Sequence, residues 1–344
     1  MKIKTAVIFG GPEGSANFGI EAFLNLDRDK YDALPLYLTD KNELYTVKDI
    51  SDIDAYKNTP GLLSRSRQVY IAAPSGRPVL IPCPRGCEYR NRIFDINVVL
   101  LALSGDDSAF RGYLKAIGVP FTGCDVLASA ITGDKYISKL LFKENGLPVL
   151  EARQYTLSDY AEIDTLMDDI ETSIGYPAII KPVSFSAGAG INIANNRGAL
   201  AWAVDDAFRH SAKILAERVI MESQEISCLV LGDETGVNVS GCKETPRSVA
   251  EREGGGESTE PVSGRVRDLA ASAFGILGCQ GAARFDFIID KDGNEIYLNG
   301  VNTSLPSRSF TTDICGLSYT ELLDKLIALA IKRTRLERNL ANVS

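Results

Sequence analysis

The residues with chemistry to offer begin at Lys181. It closes the apolar run YPAIIK and is followed at once by the small-residue loop SFSAGAG, which contains Ser186, Gly188 and Gly190. Such a loop lets backbone amides come close to an anion, and a lysine at its base adds a point charge. Lys135, in GDKYISK, offers a second ammonium group on a helix-patterned segment. A lone lysine is ordinarily a solvated surface group, but one that ends a buried strand beside two glycines is not easily read that way. Glu217 and Glu225 bracket RVIMESQ, setting two carboxylates around a strand-like hinge or along a solvated edge. In ARFDFIID the period-two alternation of a strand puts Arg284 and Asp286 on one face, as a functional pair or as a structural ion pair. Further on, EIYLNGVNTS carries Asn299 and Asn302 at a strand end, with Gly300 between them. None of the glycine patterns is the Walker loop GxxxxGK[ST], so the glycines alone do not establish phosphate binding.

The remaining chemistry is limited by what the chain lacks. Its one histidine, His210, lies in AFRHSAK at a helix end, where a cation suits the helix dipole. A single histidine there argues against a serine or cysteine hydrolase triad. Lys, Arg, Asp, Glu and backbone groups are left, which points to nucleotide chemistry. The seven cysteines are scattered and odd in number, so a disulfide framework is not expected and a reducing cytoplasm is. Cys83 and Cys87 form a CPRGC pair, but no second pair follows at zinc spacing. A net charge of -8 gives no support to nucleic-acid binding. No apolar run approaches the roughly 18 residues of a membrane span. MKIKTAVIFGG is too short in its apolar part for a secretory signal and reads as a first strand.

The elements that must position these groups follow from periodicity. At 344 residues, 45% of them hydrophobic and 24% charged, the chain has room for two or three domains with cores. IKTAVIFGG, then helix-like spacing from Ile20, then KYDALPLYLT and FDINVVLLALSG, alternate strand and helix, which predicts a parallel sheet in a first α/β domain. Residues 46–92 are turn-rich and yield no clear element. Residues 125–146 read as helical, ending at Gly146 with Pro148 beyond. ARQYTL, a helix around IDTLMDDIETSIG, the strand YPAIIKPV and the short strand INIAN come next. KILAERVI and ISCLVLGD are apolar runs with a polar break, and residues 247–261 are polar and glycine-rich. A helix from about Arg265 to Leu277 precedes ARFDFIID and EIYLN, which the Asp292-Gly293 turn makes a hairpin, and SYTELLDKLIALAIKR is a final amphipathic helix.

Taken in order, these segments resemble the ATP-grasp ligases, specifically the D-alanine–D-alanine ligase family with its D-Ala–D-Ser relatives. The likeness runs over nearly the whole chain. It is clearest in GVPFTGCDVLASAITGDKYISKLLFKENGLPV, YPAIIKPV with AGAGI, ILAERVI, and LGCQGAARFDFIIDKDGNEIYLNGVNTS through GLSYTELLDKLIALA. The resemblance implies a mixed α/β protein of three domains: an amino-terminal α/β domain over 1–124, a central lid over 125–212 and a carboxy-terminal domain over 213–344. It implies ATP and magnesium (or manganese) as cofactors, small amino-acid-like substrates and a homodimer. By position, Lys135 and Lys181 would contact the ATP phosphates, under a loop containing Ser186 and Gly188. Glu217, with the backbone of Val219 and Ile220, would hold adenine, and Glu225 the ribose. Arg284 would stabilise the developing oxyanion, while Asp286 and Asn302 would bind the metal.

The chain departs from the family pattern at particular places. A glutamate that bridges two magnesium ions in the family is here Gly300, so one ion is expected rather than two, with Glu295 or Asp313 as further donors. No carboxylate falls in Gly14-Ser15-Ala16-Asn17, where the family receives the first D-alanine's ammonium. The loop HGxxGEDG is reduced to Ser104-Gly105-Asp106-Asp107, the phosphate loop reads Ser186-Ala187-Gly188, the closing loop YDYxxKY is replaced by Glu251–Glu260, and the turn after Asn302 reads Ser304-Leu305-Pro306-Ser307. The function implied is an ATP-dependent carboxylate–amine ligase of the cell-wall type, acting through an acyl phosphate on altered substrates. The alternative is a paralogue that binds nucleotide and acts by regulation or through a partner.

Overall fold

A computed structural model describes residues 1–10, 13–48, 50–51, 55–56, 58–83, 94–105, 107–184, 189–244, 260–290, 295–314 and 316–341. The first sheet is centred on β1 (Ile3–Gly10), flanked in parallel by β2 (Tyr31–Leu38) and by Val98–Ala102. Ala6 to Phe9 and all of Val98–Ala102 are buried, since a parallel strand covered on both faces must be apolar along its length. The helix Glu13–Leu24 packs Ala16 and Ile20 against Val7 and Phe9. It approaches closely at Gly19, where a Cβ would stand 2.1 Å from the Phe9 Cβ.

The expected parallel sheet needs correction over residues 44–95. There β3 (Leu44–Thr46), β4 (Arg67–Ala72), β5 (Val79–Pro82) and β6 (Phe94–Asp95) add in antiparallel fashion, and with Val98–Ala102 as β7 the order is β6-β5-β4-β3-β2-β1-β7. Only residues 39–43 separate β2 from β3, and a parallel neighbour would need a crossover on the order of a dozen residues.

The second sheet contains β8 (Ala152–Thr156), β9 (Ala178–Pro182), β10 (Asn192–Ala194) and β11 (Lys213–Arg218), antiparallel throughout in the order β10-β9-β11-β8. The helices Ile163–Ser173 and Arg197–His210 bury Leu166, Ile170, Leu200 and Val204 against Ile180 and Ile214. Asn196 caps the second of these by accepting from the Ala199 amide at 2.9 Å, and His210 closes it, as expected of a basic residue at a helix end.

The third sheet contains β12 (Ser223–Asp233), β13 (Gly236–Val239), β14 (Lys243–Glu244), β15 (Gly281–Asp290) and β16 (Ile296–Asn302). Its order is β13-β12-β15-β16, with β14 also on β12, and β15 and β16 pair as the expected hairpin. The helix Glu260–Ile276 packs Val266, Ala270 and Phe274 against Phe285 and Phe287. Ala128 and Phe142 join that same cluster. The helices Val126–Gly133 and Lys135–Glu144, expected with the central domain, therefore pack on the third sheet. Conversely β11, expected beyond a boundary at residue 212, lies in the second sheet, so the crossing between sheets falls at residues 219–222. The helix Tyr319–Ala341 buries Tyr319, Leu322 and Leu326 in one cluster with β1, β7, Leu229 and Ala282, fixing the first sheet against the third.

Candidate functional site

Lys181, next to last in β9, is almost fully buried, and Lys135 opens its helix beside it. The helix start is tied to the chain leaving β9: the Lys135 amide donates to Val183 O at 3.3 Å, and its Nζ to Ser184 O at 3.3 Å. Asp134 caps the helix by accepting from the amides of Tyr136 and Ile137, both at 3.0 Å. Both lysines line one cleft of about 390 Å³, whose walls also carry Glu225, Arg284, Asp286, Gly300 and Asn302. Five separate elements of the sequence reading thus meet in one place. Burial, and then the neighbouring Lys181 charge, pull the Lys135 ammonium down to about 8.

Glu217 stands behind this wall rather than on it. Its carboxylate is 1% exposed and is held between two ammonium groups, with Lys181 Nζ 2.6 Å from Oε2 and Lys139 Nζ 3.0 Å from Oε1. The β9–β11 register, with Lys181 opposite Leu215 and Glu217 opposite Ile179, brings acid and lysine onto neighbouring strands. Burial alone would raise the carboxyl, but Lys139 and then Lys181 outweigh it and hold Glu217 below the ordinary glutamate value. Lys139 is depressed mainly by its own burial. The sequence signal for Lys139 is its place four residues after Lys135 on the same helix, a spacing that stacks side chains on one face. The Glu217 carboxylate is engaged by these two lysines. Val219 and Ile220 lie in the hinge, where the Val219 amide donates to Pro177 O at 3.1 Å and Ile220 O accepts from Ser223 Oγ at 3.1 Å.

On the opposite wall, Arg284 and Asp286 share a strand face as expected and bond each other. Arg284 Nη2 donates to Asp286 Oδ2 at 3.1 Å, and Nε lies 2.9 Å from Oδ1. Ser227, directly across on β12, donates its hydroxyl to Oδ1 at 2.5 Å. On the other side Asp286 faces Gly300, and Arg284 faces Asn302. The register shifts beyond Asp286, so that Phe287 pairs with Leu298 and Asn299 is the extra residue of a bulge. Asn302 Oδ1 accepts from the Ser304 amide at 2.8 Å. At Gly300 an added Cβ would meet nothing within 4 Å, so space does not explain the glycine.

The donors suit a divalent cation only with help. Asp286 and Asn302 supply hard oxygens, and magnesium is commonly held by one or two carboxylates together with phosphates and water. Among the described residues there is no group of three or more His, Cys, Asp or Glu able to hold an ion unaided. Glu295 does not join this set. It lines a separate groove with Arg265 and Asp268, and its carboxylate accepts from the Tyr297 hydroxyl at 2.7 Å. Ser186, Gly188, Asp106, Cys87, the side chain of Asp313 and the segment 251–259 lie outside the described residues.

The reduced loop contributes one more feature. Asp107 lines the cleft, and its Oδ1 accepts from Arg111 Nε at 2.6 Å. Arg111 is almost wholly buried and continues through Nη1 to Thr122 O and Cys124 O at 3.0 and 2.8 Å, and through Nη2 to Thr303 O at 3.4 Å. It thereby ties the helix Ser108–Ala116 to the residue following β16.

Comparison with known proteins fits this geometry. A family model described as D-ala D-ala ligase C-terminus matches residues 141–251 and 256–328. The D-alanine–D-alanine ligase of Caldicellulosiruptor bescii is 32% identical over 370 residues, covering 98% of this chain and 98% of that protein. The D-alanine–D-alanine ligase of Coxiella burnetii superposes with a TM-score of 0.82 at 22% identity, over 99% of each chain. The VanG D-Ala:D-Ser ligase of Enterococcus faecalis superposes at 0.79 with 25% identity, over 96% of this chain and 100% of its own. Strand by strand and along its full length, the chain belongs to the D-alanine–D-alanine ligase family of ATP-grasp enzymes.

Proposed function

We propose that this chain is an ATP-dependent ligase that joins the carboxylate of one amino-acid-like substrate to the amine of another. The observation that carries the proposal is the meeting of Lys135, Lys181, Arg284 and Asp286 in a single cleft. Lys135 and Lys181 would hold the nucleotide phosphates, and Glu225, which lines the same cleft from β12, the ribose. A substrate carboxylate oxygen attacks the terminal phosphorus, ADP leaves, and the amine nitrogen then attacks the acyl carbon while phosphate departs and the nitrogen gives up a proton. Arg284 would donate to the oxygen that becomes negative during that attack. Asp286 and Asn302 would hold one magnesium ion, which would offset phosphate charge. Glu217 would act indirectly: with Lys139 still beside it, Lys181 can turn towards a phosphate without leaving a buried carboxylate unpaired.

Coupled ADP release by purified protein over a panel of D- and L-amino acids tests this. Amino-acid-dependent ADP release is expected. Thermal stabilisation by nucleotide with no release for any member of the panel would overturn ligation and leave a nucleotide-binding protein.

A further inference from the structure

Of the two candidate metal ligands, Asp286 brings the charge and Asn302 a neutral oxygen. A carboxylate on a strand turns about two side-chain bonds, so something must hold it. Of the two residues directly across the ladder from Asp286, Gly300 on β16 has no side chain to offer, and Ser227 on β12 does. The Ser227 hydroxyl donates to Asp286 Oδ1 at 2.5 Å, at the short end of the range for a hydroxyl bonding a charged oxygen. Arg284 Nη2 donates to the other oxygen at 3.1 Å. Arg284 Nε stands 2.9 Å from Oδ1 but is not aligned to bond it, and it has no hydrogen-bond partner. With one directed donor on each oxygen, turning the carboxylate breaks at least one bond. An ionised carboxylate offers about four acceptor sites, so both oxygens keep capacity for an ion.

Ser227 does not reach a ligand itself. It is 1% exposed and is not part of the cleft wall, whereas Asp286 is. Ile226 and Cys228 on either side of it pack in the cluster with the helix Glu260–Ile276, as do Phe285 and Phe287 around Asp286. Alternation therefore turns Ser227 to the face that carries Arg284 and Asp286. A buried hydroxyl costs free energy unless it is bonded, and this one gives its proton to the carboxylate. We infer that Ser227 is a positioning residue that holds the Asp286 carboxylate in the orientation that receives the magnesium ion, a task that falls to β12 because position 300 on β16 is glycine. The inference rests on the metal assignment within the ligase reading above. Hydrogen-bond donors behind a ligating carboxylate typically account for about 10–100-fold in metal affinity.

The test is calorimetric binding of ADP to wild type, Ser227→Ala and Ser227→Thr, each with magnesium and with EDTA. Wild type is expected to bind ADP more tightly with magnesium. Ser227→Ala should weaken binding with magnesium by about tenfold or more, and binding in EDTA by less than about twofold. Ser227→Thr, which restores the hydroxyl, should recover most of the magnesium-dependent part. If Ser227 served packing alone, Ser227→Ala would melt lower yet weaken ADP equally with and without metal, or not at all. Either of those binding results would overturn the assignment. So would wild-type ADP binding indifferent to magnesium, or a folded Ser227→Thr that binds no better than Ser227→Ala. A magnesium-dependent loss in Ser227→Ala, with no amino-acid-dependent ADP release from wild type, would leave the assignment standing and sink ligation. Amino-acid-dependent release with the same magnesium requirement in wild type and Ser227→Ala would do the reverse. Melting curves show which variants are folded.

Discussion

Replacing Glu217 with glutamine should be far more damaging than replacing the lysine beside it. The wild-type group is two ammoniums and one carboxylate, all nearly inaccessible to water, with Glu217 at 2.6 and 3.0 Å from its partners. Glu217→Gln leaves two buried cations facing each other without an anion, and breaking a buried ion pair in this way typically costs about 3–5 kcal/mol. Lys139→Met instead leaves Glu217 with Lys181, a neutral pair, and removes a poorly solvated ammonium. Its cost should be about 1–2 kcal/mol, at the level of an ordinary core change. The pH dependence has a definite sign. The Glu217 carboxyl is held below its ordinary value when folded, so its stabilisation is present above the unfolded value and is lost as pH falls through the folded one. The gap between wild type and Glu217→Gln should therefore be largest near neutrality and shrink below about pH 4.5. Denaturant unfolding of both single variants and the double variant, at several pH values, measures these quantities as a double-mutant cycle. Equal costs for Glu217→Gln and Lys139→Met, or a gap that widens in acid, would show that the three charges do not act as one buried group.

Two further expectations concern the cleft walls. Lys135 titrates near 8 because burial and Lys181 oppose its charge, so ADP affinity should fall as pH rises from 7 to 9. In Lys135→Arg, whose guanidinium remains charged, the same titration should be nearly flat. Gly300→Glu places a carboxylate opposite Asp286 where a Cβ meets no obstacle within 4 Å. Like charges across a ladder should lower the melting temperature without metal, and added magnesium should restore it and bind at least about tenfold more tightly than to wild type. Metal affinity that is unchanged or lower would mean that Asp286 and Asn302 are not arranged to share an ion with position 300.

The parts of this molecule written in local pattern were readable, and those set by pairing between distant segments were not. The wholly apolar runs at β1 and β7, the hairpin of β15 and β16, and the shared face of Arg284 and Asp286 follow from periodicities of two or from continuous burial. Residues 44–95 hid four strands because each is short and broken by turns, and antiparallel addition becomes visible only once β2 exists as a template. The same limit applied to the domain edges. No local feature of Lys213–Arg218 says that it pairs with β8 and β9, and none of Phe142 that it packs on the third sheet. Lys181 is legible as a cation near a strand end, yet its pairing with Glu217, and the Lys139 that completes the group, depend on the register between β9 and β11 and on where one helix lands. The bulge at Asn299 aligns Gly300 with Asp286, so a residue notable in sequence only for its missing side chain proves to stand directly opposite the candidate metal ligand.

The most direct test of the central claim is ADP release measured with purified protein, ATP and magnesium, while single D- and L-amino acids are added in turn. If the cleft is a ligase site, at least one amino acid should raise ADP release well above the rate with ATP alone, and Arg284→Ala should lower that rate by on the order of a hundredfold or more while nucleotide binding survives. Tight nucleotide binding with no amino-acid-dependent release, or turnover indifferent to Arg284, would contradict it.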